Sequence, residues 1–305
     1  MGSVLLTRRI PSSVLSHLES HHTVDLYTGD GPIPREELLR RVEGKDALIS
    51  MLTDKIDGEL VDRGKPSLKV IATVAVGYDN IDVPAVRSRG VAVTHTPDVL
   101  TEATAEFAWA LILGIARRVG EADRVVRTGR WKTWSLDFML GTELRGKQLG
   151  IIGAGRIGRA VAAKAPAFGM KAVFAKHDMS LDELLVTSDI ISIHSAATPE
   201  NRHLINRKTL IRMKRSAILV NTARGSLIDE EALVWALDER LLAGAALDVF
   251  EREPNVHPGF LKHENVLLAP HLGSATRETR TAMADLAVRN VIAVLAGQPP
   301  LTPIP

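Results

Sequence analysis

The run LGIIGAGRIG, residues 149–158, decides how this chain is read. An apolar strand leads into glycines at 153, 155 and 158, and a helical pattern follows. Strand, glycine turn and helix together are the setting that separates a dinucleotide fingerprint from a chance GxGxxG. Gly153 permits the tight turn, Gly155 lets a pyrophosphate approach the backbone, and Gly158 lets the helix lie close to the strand. The first N–H groups of that helix, around Arg156 and Ile157, then face the phosphates with the positive end of the helix dipole.

Working outward, the alternation of strand and helix continues on both sides. Downstream come KAVFA, DIISIH, AILVNTA, GAALDVF and NVLLAPH, separated by helical patterns at 181–187, 207–213 and 230–239, with a further helix at 159–168. Six strands in this order predict a doubly wound nucleotide-binding sheet. Upstream, VLLT, VDLYT, DALISM, KVIATVAVG and VAVTH alternate with helices at 11–19, 35–42, 58–63 and 84–88, a second parallel sheet covered on both faces. The fold class expected is therefore α/β, with two doubly wound parallel-sheet domains. Between them, residues 101–131 form a helix-rich span that bridges the domains, builds a subunit interface, or is an ordinary core helix followed by a loop. The last helix, 278–295, follows the second sheet and is expected to pack back on the first. That places a discontinuous substrate-binding domain at 1–98 plus 279–305 and the dinucleotide-binding domain at 99–278.

Composition narrows the function classes. At 305 residues the chain is long enough for two ordinary cores. Its 38 Lys and Arg against 36 Asp and Glu leave a net charge of +2, with no run of five like charges, which argues against nucleic acid as a partner. No cysteine is present, so disulfides, thiolate nucleophiles and Cys-type zinc sites are excluded, and no metal is expected. The opening MGSVLLTRRIPSS is too short an apolar run for a signal peptide, and no stretch reaches the roughly 18 apolar residues of a spanning helix. A cytoplasmic protein without a membrane partner is the expectation.

Three downstream motifs carry chemistry. In NTARG, Arg224 stands where a strand ends at the carboxyl edge of the sheet, the side on which open α/β sheets bind ligands. A planar guanidinium there can grip a carboxylate through two hydrogen bonds and polarise a neighbouring carbonyl. In DVFEREP and PHLGS, Glu253 and His271 lie just beyond the next two strand ends. Histidine is the side chain whose ordinary pKa suits proton release and recovery near neutrality, and a carboxylate against its second ring nitrogen fixes the tautomer. Arg224, Glu253 and His271 are the catalytic candidates. For the cofactor, the strand KAVFA runs into Lys176 and His177, and the first carboxylate, Asp178, comes two positions late for a ribose 2′-OH. A cation there favours a 2′-phosphate. NADP(H) is thus favoured, and NAD(H) is retained through Asp178.

These residues are set in longer motifs that resemble the D-isomer-specific 2-hydroxyacid dehydrogenases. The likeness runs through VAVGYDNID, TEATAEFAWALIL, LRGKQLGIIGAGRIGRAVA, TPENRHLIN, LVNTARGSLIDEEAL, AALDVFEREP and APHLGSATRETR. The resemblance implies a flavodoxin-like substrate domain beside the Rossmann domain, a homodimer joined through the long helical arm, and a cleft that closes over the reactants. It implies that Arg224 binds the substrate carboxylate together with backbone N–H groups of Val76 and Gly77, and that Glu253 and His271 form the acid–base pair. Cofactor contacts are implied for Thr104, Lys176, His194, Thr222, Ala223, Asp248 and Gly273, with Asp248 on the nicotinamide amide. Within the family, GRWKTWSLDFMLGTELRGKQLG is similar to the glyoxylate and hydroxypyruvate reductases. Val76 stands where phosphite dehydrogenases need a lysine. Ala196 replaces the proline that commonly follows the strand-end His194, and the connection between Lys176 and Leu181 is shorter than the family norm.

The activity expected is NAD(P)H-dependent reduction of a small 2-oxo acid, of the glyoxylate or hydroxypyruvate type, to the D-2-hydroxy acid. Leu52, Trp134 and Met139 are candidates for shaping the substrate pocket. Two alternatives stand beside it: a dehydrogenase for another 2-hydroxy acid such as 3-phosphoglycerate, and a nucleotide-sensing interaction protein on the same fold. No regulatory domain fits after Leu295, which weighs against the first. A sensor would bind nucleotide and turn nothing over.

Overall fold

In a computed structural model that describes residues 1–304, the chain forms two compact units, Met1–Leu100 with Thr276–Pro305, and Thr101–Ala275. The first begins with β1 (Ser3–Leu6), α1 (Ser12–Glu19), β2 (Thr23–Leu26), α2 (Arg35–Arg41), β3 (Ala47–Ser50), α3 (Gly58–Gly64), β4 (Val70–Thr73), α4 (Val83–Arg87) and β5 (Ala92–Thr94). The second holds α5 (Thr101–Ala116), α6 (Val119–Arg127), β6 (Gln148–Ile152), α7 (Arg156–Lys164), β7 (Lys171–Phe174), α8 (Leu181–Thr187) and β8 (Ile190–Ile193). It continues with α9 (Arg207–Leu210), β9 (Ile218–Asn221), α10 (Glu230–Asp238), β10 (Gly244–Leu247) and β11 (Val266–Leu268), after which α11 (Arg277–Leu295) belongs to the first unit.

The first sheet has the order β2-β1-β3-β4-β5 with every pair parallel, the flavodoxin-like arrangement. Its strands are apolar almost throughout because both faces are covered. Leu5, Leu48, Ile71 and Val93 pack with Leu38, Leu60, Val61 and Val86 of α2, α3 and α4. On the other face Val4, Leu6, Ile49 and Ala72 meet Val14 and Leu18 of α1 and Ala284, Ala287, Val288 and Val291 of α11. The outer strand β5 does not end at open backbone. Ile304 N–H donates to Val93 O at 3.0 Å and His95 N–H to Thr302 O at 3.1 Å, so segment 302–304 runs antiparallel along it. Asn290 of α11 holds that segment, donating to Thr302 Oγ1 and accepting from Thr302 N–H.

The second sheet is also wholly parallel, in the order β11-β10-β9-β8-β6-β7. Strand order reverses between β6 and β8, where Ile152 lies opposite Ile193, so the segments after these two strands leave the sheet side by side. That is the crevice in which open α/β sheets bind ligands.

Three local readings needed adjustment. The helical span 101–131 is two helices, α5 and α6, broken where Arg118 takes a left-handed φ of 54°. The helix expected at 159–168 begins at Arg156 and tightens into a 3-10 turn at Ala165–Phe168, because Pro166 has no N–H to continue the ladder. Only Val70–Thr73 of KVIATVAVG pairs as a strand; Val76 and Gly77 lie in the loop beyond its carboxyl end. Among the described residues no helix is long and apolar enough to cross a membrane, and no group of three or more His, Asp or Glu could hold a metal ion.

Candidate active site

Two glycines of the turn after β6 are held to glycine by close contacts, and the third stands in open space. Gly153 has φ 111°, and a Cβ on it would meet the His194 carbonyl carbon and oxygen at 2.6 Å. A Cβ on Gly158 would lie 2.0 Å from Gly153 O, so helix α7 rests directly on the turn. At Gly155 a Cβ would meet nothing within 4 Å. Gly155 is also the N-cap of α7, and it supplies no side-chain cap to the helix start. A glycine with room around it, at an uncapped helix start, is a cradle that fits a pyrophosphate.

His194 and Thr222 border this turn. The His194 ring exchanges hydrogen bonds with Ser192 Oγ at 2.8 Å and Thr222 Oγ1 at 3.4 Å. Burial pushes its pKa down to about 4, so the ring is neutral at pH 7. The loop beyond it, in which Ala196 stands, is held by Asn201, whose Nδ2 donates to Ala196 O at 2.6 Å and whose Oδ1 accepts Thr198 N–H at 2.7 Å.

At the end of β7 the chain turns sharply. Lys176 is exposed, has φ 62°, and donates its N–H to Met179 O at 2.8 Å. Asp178 is folded back: its Oδ2 accepts Phe174 N–H at 2.7 Å, and its Oδ1 pairs with His177 Nδ1 at 3.1 Å. The bond to His177 and the Phe174 N–H hold the Asp178 carboxyl below its ordinary pKa.

The carboxyl ends of β9, β10 and β11 supply the rest. Asn221, fully buried at the end of β9, uses both ends of its amide on the next loop, accepting Ala223 N–H at 3.0 Å and donating to Arg224 O at 2.8 Å. Arg224 in turn donates from Nη1 to Ala223 O at 2.8 Å. Glu253 sits in the turn after β10. Its Oε1 accepts Phe250 N–H at 3.0 Å and its Oε2 lies 2.8 Å from His271 Nδ1. Burial alone would raise the Glu253 pKa, but the bond to His271, its charge, the Phe250 N–H and the Arg224 guanidinium outweigh it and leave the carboxyl lowered. An ionised carboxylate can only accept, so His271 Nδ1 carries the proton and Nε2 is left as the exchanging nitrogen.

Asp248 anchors the histidine loop. Its carbonyl accepts His271 N–H at 2.8 Å, its Oδ1 accepts Leu272 N–H at 2.6 Å, and its Oδ2 accepts Gly273 N–H at 2.8 Å. His271 itself has φ 56°, a left-handed conformation that these three bonds hold in place. Burial raises the Asp248 pKa, and the two N–H groups oppose that rise. Thr104 of α5 lies against Gly273, where an added Cβ would meet Thr104 Cγ2 at 3.3 Å. The fold thus brings Arg224, Glu253, His271, Asp248, Thr104 and Gly273 to one edge of the second unit's sheet.

Sequence reasoning overlooked Asn221 and Glu230. The first had a legible signal, since an Asn closing a buried strand before a turn is a frequent organiser of local backbone N–H groups. Glu230 read only as the start of α10.

The family model of the D-isomer specific 2-hydroxyacid dehydrogenase NAD-binding domain matches residues 109–273. A glyoxylate reductase from Thermofilum pendens is 50% identical over 315 aligned positions, covering 97% of this chain and 92% of that protein. The crystal structure of a protein from Thermus thermophilus superposes with a TM-score of 0.94 at 47% identity, covering 99% of this chain and all of that one. An NADPH-dependent glyoxylate/hydroxypyruvate reductase from Sinorhizobium meliloti, solved with NADP and malonate, superposes with a TM-score of 0.88 at 32% identity over 99% of this chain and 96% of that one. With this cradle and a histidine–carboxylate pair on a matching sheet, the chain belongs to the D-isomer specific 2-hydroxyacid dehydrogenases, oxidoreductases that work with a nicotinamide cofactor.

Proposed function

We propose that this enzyme reduces a small 2-oxo acid of the glyoxylate or hydroxypyruvate class to the D-2-hydroxy acid, with NADPH preferred over NADH. The observation that carries the reading is the 2.8 Å contact between Glu253 Oε2 and His271 Nδ1 within the field of Arg224. When bound, the reduced nicotinamide supplies the hydrogen and electron pair that the substrate C2 takes up. His271 Nε2 gives its proton to the carbonyl oxygen as negative charge develops there, and Glu253 stabilises the imidazolium before that transfer. Arg224 grips the substrate carboxylate and polarises the adjacent carbonyl. Thr104, His194, Thr222, Ala223, Asp248 and Gly273 line the cofactor's place, and the N–H groups after Gly155 take its pyrophosphate.

NADPH is favoured because both Asp178 oxygens are already engaged, by Phe174 N–H and by His177, while Lys176 stands exposed at the strand end. The NADP-bound Sinorhizobium relative supports the same choice. Trp131, Trp134, Leu136 and Leu140 are exposed, between 56% and 82%, in the segment after α6, and a homodimer formed there would cover them. We place the enzyme in the cytoplasm.

The deciding experiment is a panel of 2-oxo acids assayed with NADPH and NADH. Glyoxylate or hydroxypyruvate should give the highest kcat/KM, NADPH should exceed NADH, and Lys176→Ala should narrow that gap. Nucleotide binding without turnover on any acid would favour a sensor instead.

A further inference from the structure

Of the two loops that carry the proposed machinery, the one with Glu253 rests a peptide group directly on the one with Arg224. The peptide between Phe250 and Glu251 lies flat against Gly225, so close that a Cβ there would meet Phe250 C at 1.9 Å and Glu251 N at 2.3 Å. The same peptide's N–H donates to Glu230 Oε1 at 2.9 Å. Gly225 follows Arg224 directly, and Glu230 opens α10 only five residues further on. Segment 224–230 therefore holds this peptide at two points, once by close contact and once by a hydrogen bond. On its other side, Phe250 N–H binds Glu253 Oε1, and Glu253 Oε2 binds His271.

Glu230 is an unusual residue to find there. It is 8% exposed, and burial together with the neighbouring Glu251 charge raises its pKa. Helix stability alone would be served by a carboxylate in solvent at the same position. The side chain of Glu251 does not share the task, since it is directed to Arg202 and His203. A buried carboxylate retained at this cost implies that its acceptor is used.

We infer that Glu230 is a positioning residue: by accepting Glu251 N–H it sets the separation between the Arg224 guanidinium and the Glu253–His271 pair. The inference rests on the proposed oxo-acid reduction. Removing the acceptor strands a half-buried N–H and releases the Glu253 turn, which displaces the proton donor relative to the carboxylate clamp without touching the glycine cradle.

The test compares Glu230→Ala with Glu230→Gln, which keeps an acceptor oxygen, in the whole enzyme. Glyoxylate reduction and NADPH dissociation, by fluorescence titration, are both measured. Glu230→Ala should lower kcat by about tenfold to a hundredfold. Its NADPH dissociation constant should stay within about twofold, and Glu230→Gln should recover most of the rate. If Glu230→Ala does not fold, Glu230→Asp, whose oxygen falls short by one methylene, takes its place with the same expected split. A folded variant with parental kcat overturns the inference, as does an equal loss of rate and nucleotide binding or a failure of Gln to recover rate. A parental enzyme that reduces no 2-oxo acid refutes the underlying reading instead, and that result is seen before any variant is made.

Discussion

Glu253 and His271 meet through one carboxylate oxygen and one ring nitrogen at 2.8 Å, while the other carboxylate oxygen is spent on Phe250 N–H. The carboxylate therefore cannot swing away from the imidazole without losing a backbone bond. Glu253→Gln keeps the shape and one acceptor, but it removes the charge that stabilises the imidazolium and sets an NH2 donor where His271 Nδ1–H needs an acceptor, which disfavours the working tautomer. It should lower kcat for glyoxylate by on the order of a hundredfold while the dissociation constant for NADPH changes little. Steady-state kinetics with a nucleotide titration check this; an unchanged kcat would deny Glu253 its part in proton transfer.

Arg224 is held by its own loop, through Ala223 O and the Asn221 amide, so its loss should leave the backbone in place. A charge-assisted contact is worth about 1.5–3 kcal/mol, so Arg224→Ala should reduce kcat/KM by roughly tenfold to a hundredfold. Both KM and kcat should worsen, because the contact to the carbonyl strengthens as charge builds. Arg224→Lys restores charge but not the two-pronged geometry and should recover only part. Parental kcat/KM in the alanine variant would remove Arg224 from the site.

The glycine turn offers a paired test of ligand against fold. Gly155→Ala adds a methyl group into open space at φ −74°, which any residue adopts, so the melting temperature should be unchanged. The same methyl intrudes where a pyrophosphate would lie, and KM for NADPH should rise several-fold. Gly158→Ala places its methyl 2.0 Å from Gly153 O and should destabilise the fold itself. Thermal denaturation beside cofactor titration separates the two, and equal behaviour of the variants would contradict the cradle.

His194 sets a pH limit on stability. The unfolded chain takes up this proton near the ordinary pKa of 6.5, whereas the folded chain does so only at about 4. Between those values the unfolded state binds more protons, so stability contributed by the neutral ring is whole above pH 6.5 and is lost as pH falls toward 4. The full loss amounts to about 3 kcal/mol. His194→Asn should flatten this limb of the melting-temperature profile; an identical slope in parent and variant would show that the ring titrates normally in the fold.

What could be read from residues alone was what depends on neighbours in the chain. Helix α8 was legible at Leu181–Thr187 because Ser180 caps it, accepting Glu183 N–H, and two acids follow. The strand cores and the glycine turn were legible for the same reason, their periodicity and spacing being local. The break at Arg118 was not, since no proline or glycine occupies the position and a non-glycine left-handed residue leaves no trace in composition. Among Asp248, Glu251 and Glu253, which crowd one short segment, the match of Glu253 to His271 was read from the motifs, and the two meet at 2.8 Å. The partners of the other two were not legible: only folding sends Asp248 to the N–H groups of Leu272 and Gly273, and Glu251 to His203 and Arg202. Such partners lie many residues away, and no local pattern encodes them.

The short antiparallel strip at residues 302–304 has a consequence for handling the protein. With Thr302 and Ile304 bonded along β5, the first unit presents no bare row of donors and acceptors on that rim. Shortening the chain before Thr302 would strip that cover and offer passing molecules a template for strand addition. Self-association that grows with concentration, rather than lost chemistry, is the first defect such a truncation should display.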